Sequence, residues 1–265
     1  MLKKIVRSSI LCLILIWTAC TKTVTLDLRT APSVYVIEGD ITDQPGPYLV
    51  RIFQTTGFYD TANFKGVDGA SVQVSNAEGY QETLTGNGGG NYYTKQLKGQ
   101  SGDTYTLNVV IGDNSYSAVS TMPQHINLDG LHTQQAFNTS KEVIYVVPDF
   151  VNPPAPQIAY YYFDQTINGH LDKTFYYWNS KFSQGEANAF NLERNDPDST
   201  LHSGDTVTVE MQCISSDIYN YWSSLDQAAA GGGGAYPGNP TTNITGGALG
   251  YFSAHTSQTK GLRVP

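Results

Sequence analysis

The chain reads as mainly β: an N-terminal seven-stranded antiparallel sandwich, then a second antiparallel β domain carrying one amphipathic helix. Three observations predict this. Short runs of alternating apolar and polar residues repeat between Gly, Pro, Asn and Asp turn signals. Asn168-Gly169 stands between two aromatic runs, and that dipeptide suits a two-residue hairpin turn. One stretch, 217–230, switches from the period of a strand to that of a helix.

Ahead of the first strand, Lys3, Lys4 and Arg7 precede an apolar run from Ile10 to Trp17 and then Thr18-Ala19-Cys20. This is the layout of a secretory signal over residues 1–19. A membrane span would need roughly 20 apolar residues. The cysteine stands where bacterial lipoprotein signals place theirs, although Trp17 departs from their usual Leu, so Cys20 is expected to be the lipidated first residue of the mature chain. At ~0.8 kcal/mol per buried methylene, two or more acyl chains hold a protein on a bilayer. Residues 20–32 form a tether.

The first domain is placed at 33–123. Its strands are expected over Val34–Thr42, Tyr48–Thr56, Ala70–Asn76, Tyr80–Thr85, Asn91–Gln96, Thr104–Ile111 and Ser115–Met122, separated by turns such as Gln44-Pro45-Gly46-Pro47 and Gly112-Asp113-Asn114. In 104–111, Tyr105, Leu107, Val109 and Ile111 share one face, the period of a half-buried strand. Tyr105 after Gly102-Asp103 resembles the tyrosine corner of such sandwiches. Pro123 ends the module, and the polar stretch 124–142 is assigned as a junction.

The second domain, 143–265, opens with a strand at Val143–Val147 and a loop with four prolines. The Asn168-Gly169 hairpin follows. With those residues at the turn's centre, Ile167 faces His170, Tyr160 pairs with Tyr177, Tyr162 with Phe175 and Asp164 with Lys173. Ala159 then pairs with Trp178, Tyr161 with Tyr176 and Phe163 with Thr174. Both faces are aromatic near Tyr160, so this end is expected to be covered on both sides or to expose one aromatic face. A strand over Thr206–Ile214 turns Val207, Val209, Met211 and Cys213 to one side. Then Ile218, Tyr221, Trp222 and Leu225 make the stripe of a helix over 217–230, capped by Ser216. A glycine-rich strand is expected at Ala248–His255.

Composition narrows function. Removing Lys3, Lys4 and Arg7 with the signal takes the net charge from −8 to −11. Such a chain repels phosphate backbones, so nucleic acid is not an expected partner. Cys12 leaves with the signal and Cys20 is acylated, so Cys213 has no partner for a disulfide. The histidines His125, His132, His170, His202 and His255 lack metal-ligand spacing to Cys, Asp or Glu, so no metal is expected. Gly86–Gly90 is not followed by the Lys-[Ser/Thr] of a phosphate loop, and Asn195-Asp196-Pro197-Asp198 lacks the closing Glu of a calcium loop. Hydrolase motifs are missing too. The expectation is a protein without cofactor or catalytic residues. Tyr160, Tyr162, Tyr177 and Trp178 are the candidate ligand platform, because sugars and peptides stack on such rings. Cross-strand core packing is the other use for them.

Two resemblances add to this. Gly66-Val67-Asp68-Gly69-Ala70-Ser71-Val72-Gln73-Val74, with Gly90-Asn91-Tyr92 and Gly102-Asp103-Thr104-Tyr105, resembles transthyretin-like and carboxypeptidase-regulatory-like domains. Asp217 to Leu225, Asn239 to Phe252 and Val36-Ile37-Glu38-Gly39-Asp40-Ile41-Thr42-Asp43 resemble the Bacteroidota lipoproteins called domain of unknown function 4249. That resemblance implies an outer-membrane lipoprotein often associated with TonB-dependent receptors, with no assigned activity. It makes an accessory to such a β-barrel receptor, in nutrient capture or uptake, the first expectation. A free-standing glycan- or peptide-binding module and a structural or adhesive surface protein are the alternatives. The cell surface is the expected side, although Thr21 to Thr25 lacks the acidic run that often follows the cysteine of exported lipoproteins. Asp60-Thr61-Ala62 and Asp198-Ser199-Thr200 resemble that phylum's O-glycosylation signal, which makes Thr61 and Ser199 candidate sites.

Overall fold

The computed structural model describes residues 33–56, 64–138, 141–194, 200–230 and 238–265, without the side chains of 137, 138, 141 and 142. The signal peptide, Cys20 with its tether, Thr61 and Ser199 lie outside the described residues. No helix among those described is long and apolar enough to cross a membrane.

The fold is mainly β, with a single helix among the described residues. The strands are β1 (Tyr35–Thr42), β2 (Leu49–Gln54), β3 (Lys65–Gly66), β4 (Ser71–Asn76), β5 (Gln81–Thr83), β6 (Thr85–Gly86), β7 (Asn91–Tyr93), β8 (Thr104–Ile111), β9 (Asn114–Thr121), β10 (Gly130–Asn138), β11 (Lys141–Asp149), β12 (Tyr160–Ile167), β13 (His170–Leu171), β14 (Tyr176–Asn179), β15 (Thr206–Ile214), β16 (Ile244–Thr245) and β17 (Leu249–Arg263). Helix α1 (Ser216–Ala229) follows β15. A ten-stranded sheet runs β13-β12-β15-β17-β1-β2-β7-β6, with β14 and β3 attached to β12 and β2. A five-stranded sheet runs β16-β9-β8-β4-β5, and β10 with β11 makes a third.

The period-2 pattern builds the first core. Ile37 and Ile41 of β1, Val72 and Val74 of β4, and Leu107 and Val109 of β8 are all buried in one cluster between the long sheet and the five-stranded sheet. The predicted strand at 80–85 changes sheets midway. β5 pairs with β4 and β6 pairs with β7, with Leu84 buried between them. Tyr105 is fully buried, and its hydroxyl accepts the Gln100 N–H at 2.7 Å, the corner bond its position predicted.

The seven expected strands are present, but they do not close a sandwich by themselves. β16 pairs with β9, and the first half of β17 pairs in parallel with β1, so the C-terminal segment completes both sheets. Gly250 makes the parallel join possible. Its φ is +96°, and a Cβ there would lie 2.0 Å from the Ile37 carbonyl oxygen. The second half of β17 pairs with β15. The described residues all fall within one compact unit rather than in two domains with a linker.

The assignment of 124–142 as a junction is also corrected. β10 occupies nearly half of it and pairs along its whole length with β11, which begins at Lys141. Among the described side chains of that stretch, Ile126, Leu128 and Leu131 reach the second core, which matches the weak apolar signal. The rest of that core is Phe150, Tyr161, Phe163, Tyr176, Val207, Val209, Met211 and Cys213 with their neighbours.

Candidate functional site

The hairpin carries most of the predicted site. Asn168 and Gly169 both have positive φ, and Ile167 faces His170 as expected. Beyond that the register slips by two. Tyr162 pairs with Tyr177 and Tyr161 with Trp178, because Asp172–Phe175 loops out. Inside that loop the Asp172 carboxylate accepts the Thr174 N–H and pairs with Arg194. The expected Asp164–Lys173 pair is therefore not formed, and Asp164 faces Glu210 of β15 instead. An even slip keeps every side chain on its predicted face.

The four proposed platform residues consequently divide. Tyr160, Tyr162 and Tyr177 face α1, while Trp178 faces the second core and stacks on Phe190 at 5.1 Å. Tyr162 is 6% exposed and stacks on Trp222 at 4.3 Å between centroids. Tyr160 and Tyr177 lie against Tyr219, and the Tyr177 hydroxyl donates to Asp226 at 3.1 Å. These rings fasten the helix to the sheet. Both aromatic faces are covered, and no continuous four-ring surface exists. The helix itself starts one residue earlier than expected. Ser215, not Ser216, caps it, its hydroxyl accepting the Ile218 N–H. Ile218 and Tyr221 are the buried part of its stripe.

Beside α1, the same face of the long sheet becomes polar. Alternation puts Glu38 and Asp40 of β1, Tyr251, Ser253, His255 and Ser257 of β17, Glu210 and Gln212 of β15, and Asp164 of β12 on the side away from the first core. Tyr251 donates to Asp40 at 3.1 Å, Ser257 to Glu210 at 2.6 Å and Gln212 to Asp164 at 3.2 Å. Arg51 pairs with Glu38 at 3.1 Å. Burial, with Glu210 opposite, raises Asp164 to about 6. Burial raises Asp40 to about 7 against the opposing Tyr251 bond, with Glu38 adding to the rise. The Asp40 side chain is 43% exposed, so water screens part of that effect. Burial lowers His255 to about 4, with Asp43 working the other way.

Ser253, His255 and Asp40 are the residue types of a hydrolase triad, and β1–β17 pairing sets Asp40 directly beside Ser253. The geometry is not a relay. Ser253 Oγ lies 2.9 Å from His255 Nδ1, and Asp40 Oδ1 lies 3.9 Å from the same nitrogen. A relay needs the acid on one imidazole nitrogen and the nucleophile on the other. With Ser253 only 1% exposed, a substrate has no approach to its hydroxyl. Cys213 is buried, and burial pushes its thiol up, away from nucleophile chemistry. A cleft of about 710 Å³ opens between the 43–48 and 95–100 loops, with the exposed Lys95 and Lys98 among its lining. Among the described residues no group of His, Cys, Asp and Glu is placed to hold a metal ion.

The family described as domain of unknown function (DUF4249) matches residues 21–261. No curated protein matches the chain. With nearly all of its length matched, the chain belongs to that family.

Proposed function

We propose that this DUF4249 member is a non-catalytic accessory protein of the outer membrane. A lipid on Cys20 holds it at the membrane, and its folded unit binds a TonB-dependent β-barrel receptor during nutrient capture or uptake. The observation that carries this reading is the layout of the polar face beside α1. It has carboxylates and tyrosines on the ten-stranded sheet, with Ser253 and His255 buried beneath them and out of relay geometry, while Cys213 is buried on the opposite face. Such a surface is suited to recognition rather than turnover. The family match starts at Thr21, next to Cys20, as it would if the common part of these proteins began at the acylated residue. Sequence supplies the rest, from the charged and apolar leader to the Thr18-Ala19-Cys20 ending.

The test is to isolate the chain from membranes with its lipid in place and identify what comes with it. A large β-barrel should co-purify in near-stoichiometric amount, and replacing Cys20 by Ser should release the chain into the soluble fraction. Recovery of the acylated protein with no barrel would defeat the transporter part of the reading. A Cys20→Ser chain that stays membrane-bound would defeat the anchor.

A further inference from the structure

β17 is 15 residues long, but β1 accompanies only its first half. Past His255 the chain of β1 turns away, and β17 continues to Arg263 with β15 on one side. The side vacated by β1 is closed at one rung by side chains. Asp43 accepts the Ser257 N–H, and the Gln44 amide donates to the Ser257 carbonyl, both at 2.9 Å. These bonds show which way the backbone of Ser257 points. In an antiparallel pair, alternate residues turn their N–H and C=O to the same side. The register with β15 is unbroken from Cys213–Thr256 to Thr206–Arg263, and Val264 on the other parity bonds Asp205 and Gly204. Thr259, Gly261 and Arg263 therefore turn their backbone groups outward, as Ser257 does, and among the described residues nothing pairs with them. Thr259, Lys260, Gly261 and Arg263 are exposed.

We propose that this edge accepts an extended, acidic segment of a second protein as an added strand. From Thr259 to Arg263 it offers about 14 Å of open ladder at the rise of an antiparallel strand. Gly261 leaves the middle open, since a Cβ there would meet nothing nearer than 3.8 Å. The charge points to the occupant. Lys260 and Arg263 have no ion pair among the described residues, and alternation sets them on opposite faces of the sheet, with Leu262 on the Lys260 side against the second core. An incoming strand thus meets a cation whichever face its carboxylates take. A second copy fits poorly. Symmetric pairing about Gly261 would bring the basic residues of both edges together. Among the described residues the terminal strands of the two larger sheets have two to four residues, β10 carries no Lys or Arg, and the outer side of β11 is bonded by Asn188, Leu192 and Thr200. The inference does not depend on the partner being a transporter.

The probe is a capped eight-residue peptide alternating valine with glutamate and threonine, added to the full chain in detergent. Hydrogen exchange resolved to single amides is the readout. The Thr259, Gly261 and Arg263 amides should slow by about tenfold at saturation, while Lys260 and Leu262, already bonded to β15, stay unchanged. Lysine in place of glutamate in the peptide should weaken binding by about tenfold at low salt. Gly261→Pro removes an outward N–H and no β15 bond, so it should abolish binding with the fold intact. If it disturbs the strand, Lys260→Glu with Arg263→Glu should instead reverse the peptide preference. Unchanged exchange at the three amides overturns the proposal. So does slowing that follows protein concentration without peptide, which would assign the edge to a second copy.

Discussion

The two halves of the long sheet are covered differently, and the C-terminal half has one face closed almost entirely by rings. On the N-terminal side the cover is a second sheet, and β-branched residues on alternating positions, Ile37, Ile41, Val50, Ile52, Val72, Val74 and Val109, fill much of the gap around five buried rings, Tyr48, Tyr92, Tyr105, Tyr116 and Phe252. On the C-terminal side the covers are a two-stranded hairpin with loops on one face and a single helix on the other. These leave irregular gaps, and rings fill them. Phe150, Tyr161, Phe163 and Tyr176 lie on one face, with Tyr162, Tyr219, Trp222 and Tyr251 on the other and Tyr221 against Tyr251. Tyrosine adds a hydroxyl that can reach a polar partner at the rim, as Tyr177 reaches Asp226 and Tyr251 reaches Asp40. The aromatic abundance that suggests a ligand platform thus follows first from how this half is covered.

The largest expected effect comes from breaking the join between the halves. Gly250→Ala puts a methyl group against the Ile37 carbonyl at a φ that alanine resists, and should cost about 3 kcal/mol or more. Of the three tryptophans, Trp178 and Trp222 both lie in the C-terminal half, so in folded protein their fluorescence follows that half, while amide exchange at Val72 and Val74 follows the other. In urea the native protein should show coincident transitions by both probes, and the variant should show a lower midpoint. A variant as stable as the native chain would mean that the parallel join does not hold the halves together.

An intermediate effect is expected from Trp222→Ala, which removes the stacks on Tyr162, Phe175 and Tyr251. The ring is half-buried, so the cost should be about 2 kcal/mol, below that of a fully buried ring. Near-UV circular dichroism should weaken as α1 loosens, while exchange at Val72 and Val74 stays native. Equal loosening of both halves would erase the distinction drawn between them.

The same contrast explains what could be read from sequence. The N-terminal strands were legible because each buries one face, and a period of two records that directly. The helix was legible from Ile218, Tyr221, Trp222 and Leu225, and the hairpin turn from Asn168-Gly169. The slip after the turn was not, because Asp172 and Arg194 stabilise the extra residues from separate parts of the chain. β10 escaped notice because little of it is apolar. The long partnership of β17 was hidden for another reason: no local pattern says that a C-terminal strand lies parallel to the first one. The polar face follows from that pairing. Ser253 and His255 show in sequence as an i, i+2 pair on one face, but only the fold sets Asp40 beside them.

The smallest effect, and the finest test of the comparison, is on pH dependence. Asp164 lies opposite Glu210, and burial with that like charge holds it near 6, above the 3.8 of an ordinary aspartate. A carboxyl raised on folding contributes stability that is fully present below its unfolded value and lost as pH rises through the folded one. His255 has the opposite sense. Its folded value is about 4 against 6.5, so its contribution is present above 6.5 and lost as pH falls through 4. Between pH 4 and 6.5 the two oppose each other, with Asp40 acting in the direction of Asp164. Asp164→Asn keeps an acceptor for Gln212 and removes the charge. After discounting for water, it should stabilise the protein by about 1 kcal/mol at pH 7. It should also steepen the loss of stability on acidification to pH 4.5, because the His255 contribution is then less opposed. Urea midpoints at the two pH values decide this. An unchanged midpoint at pH 7 together with an unchanged acid slope would mean that the carboxylates beside α1 are solvated like any surface pair. The C-terminal half would then differ from the N-terminal half in its rings alone.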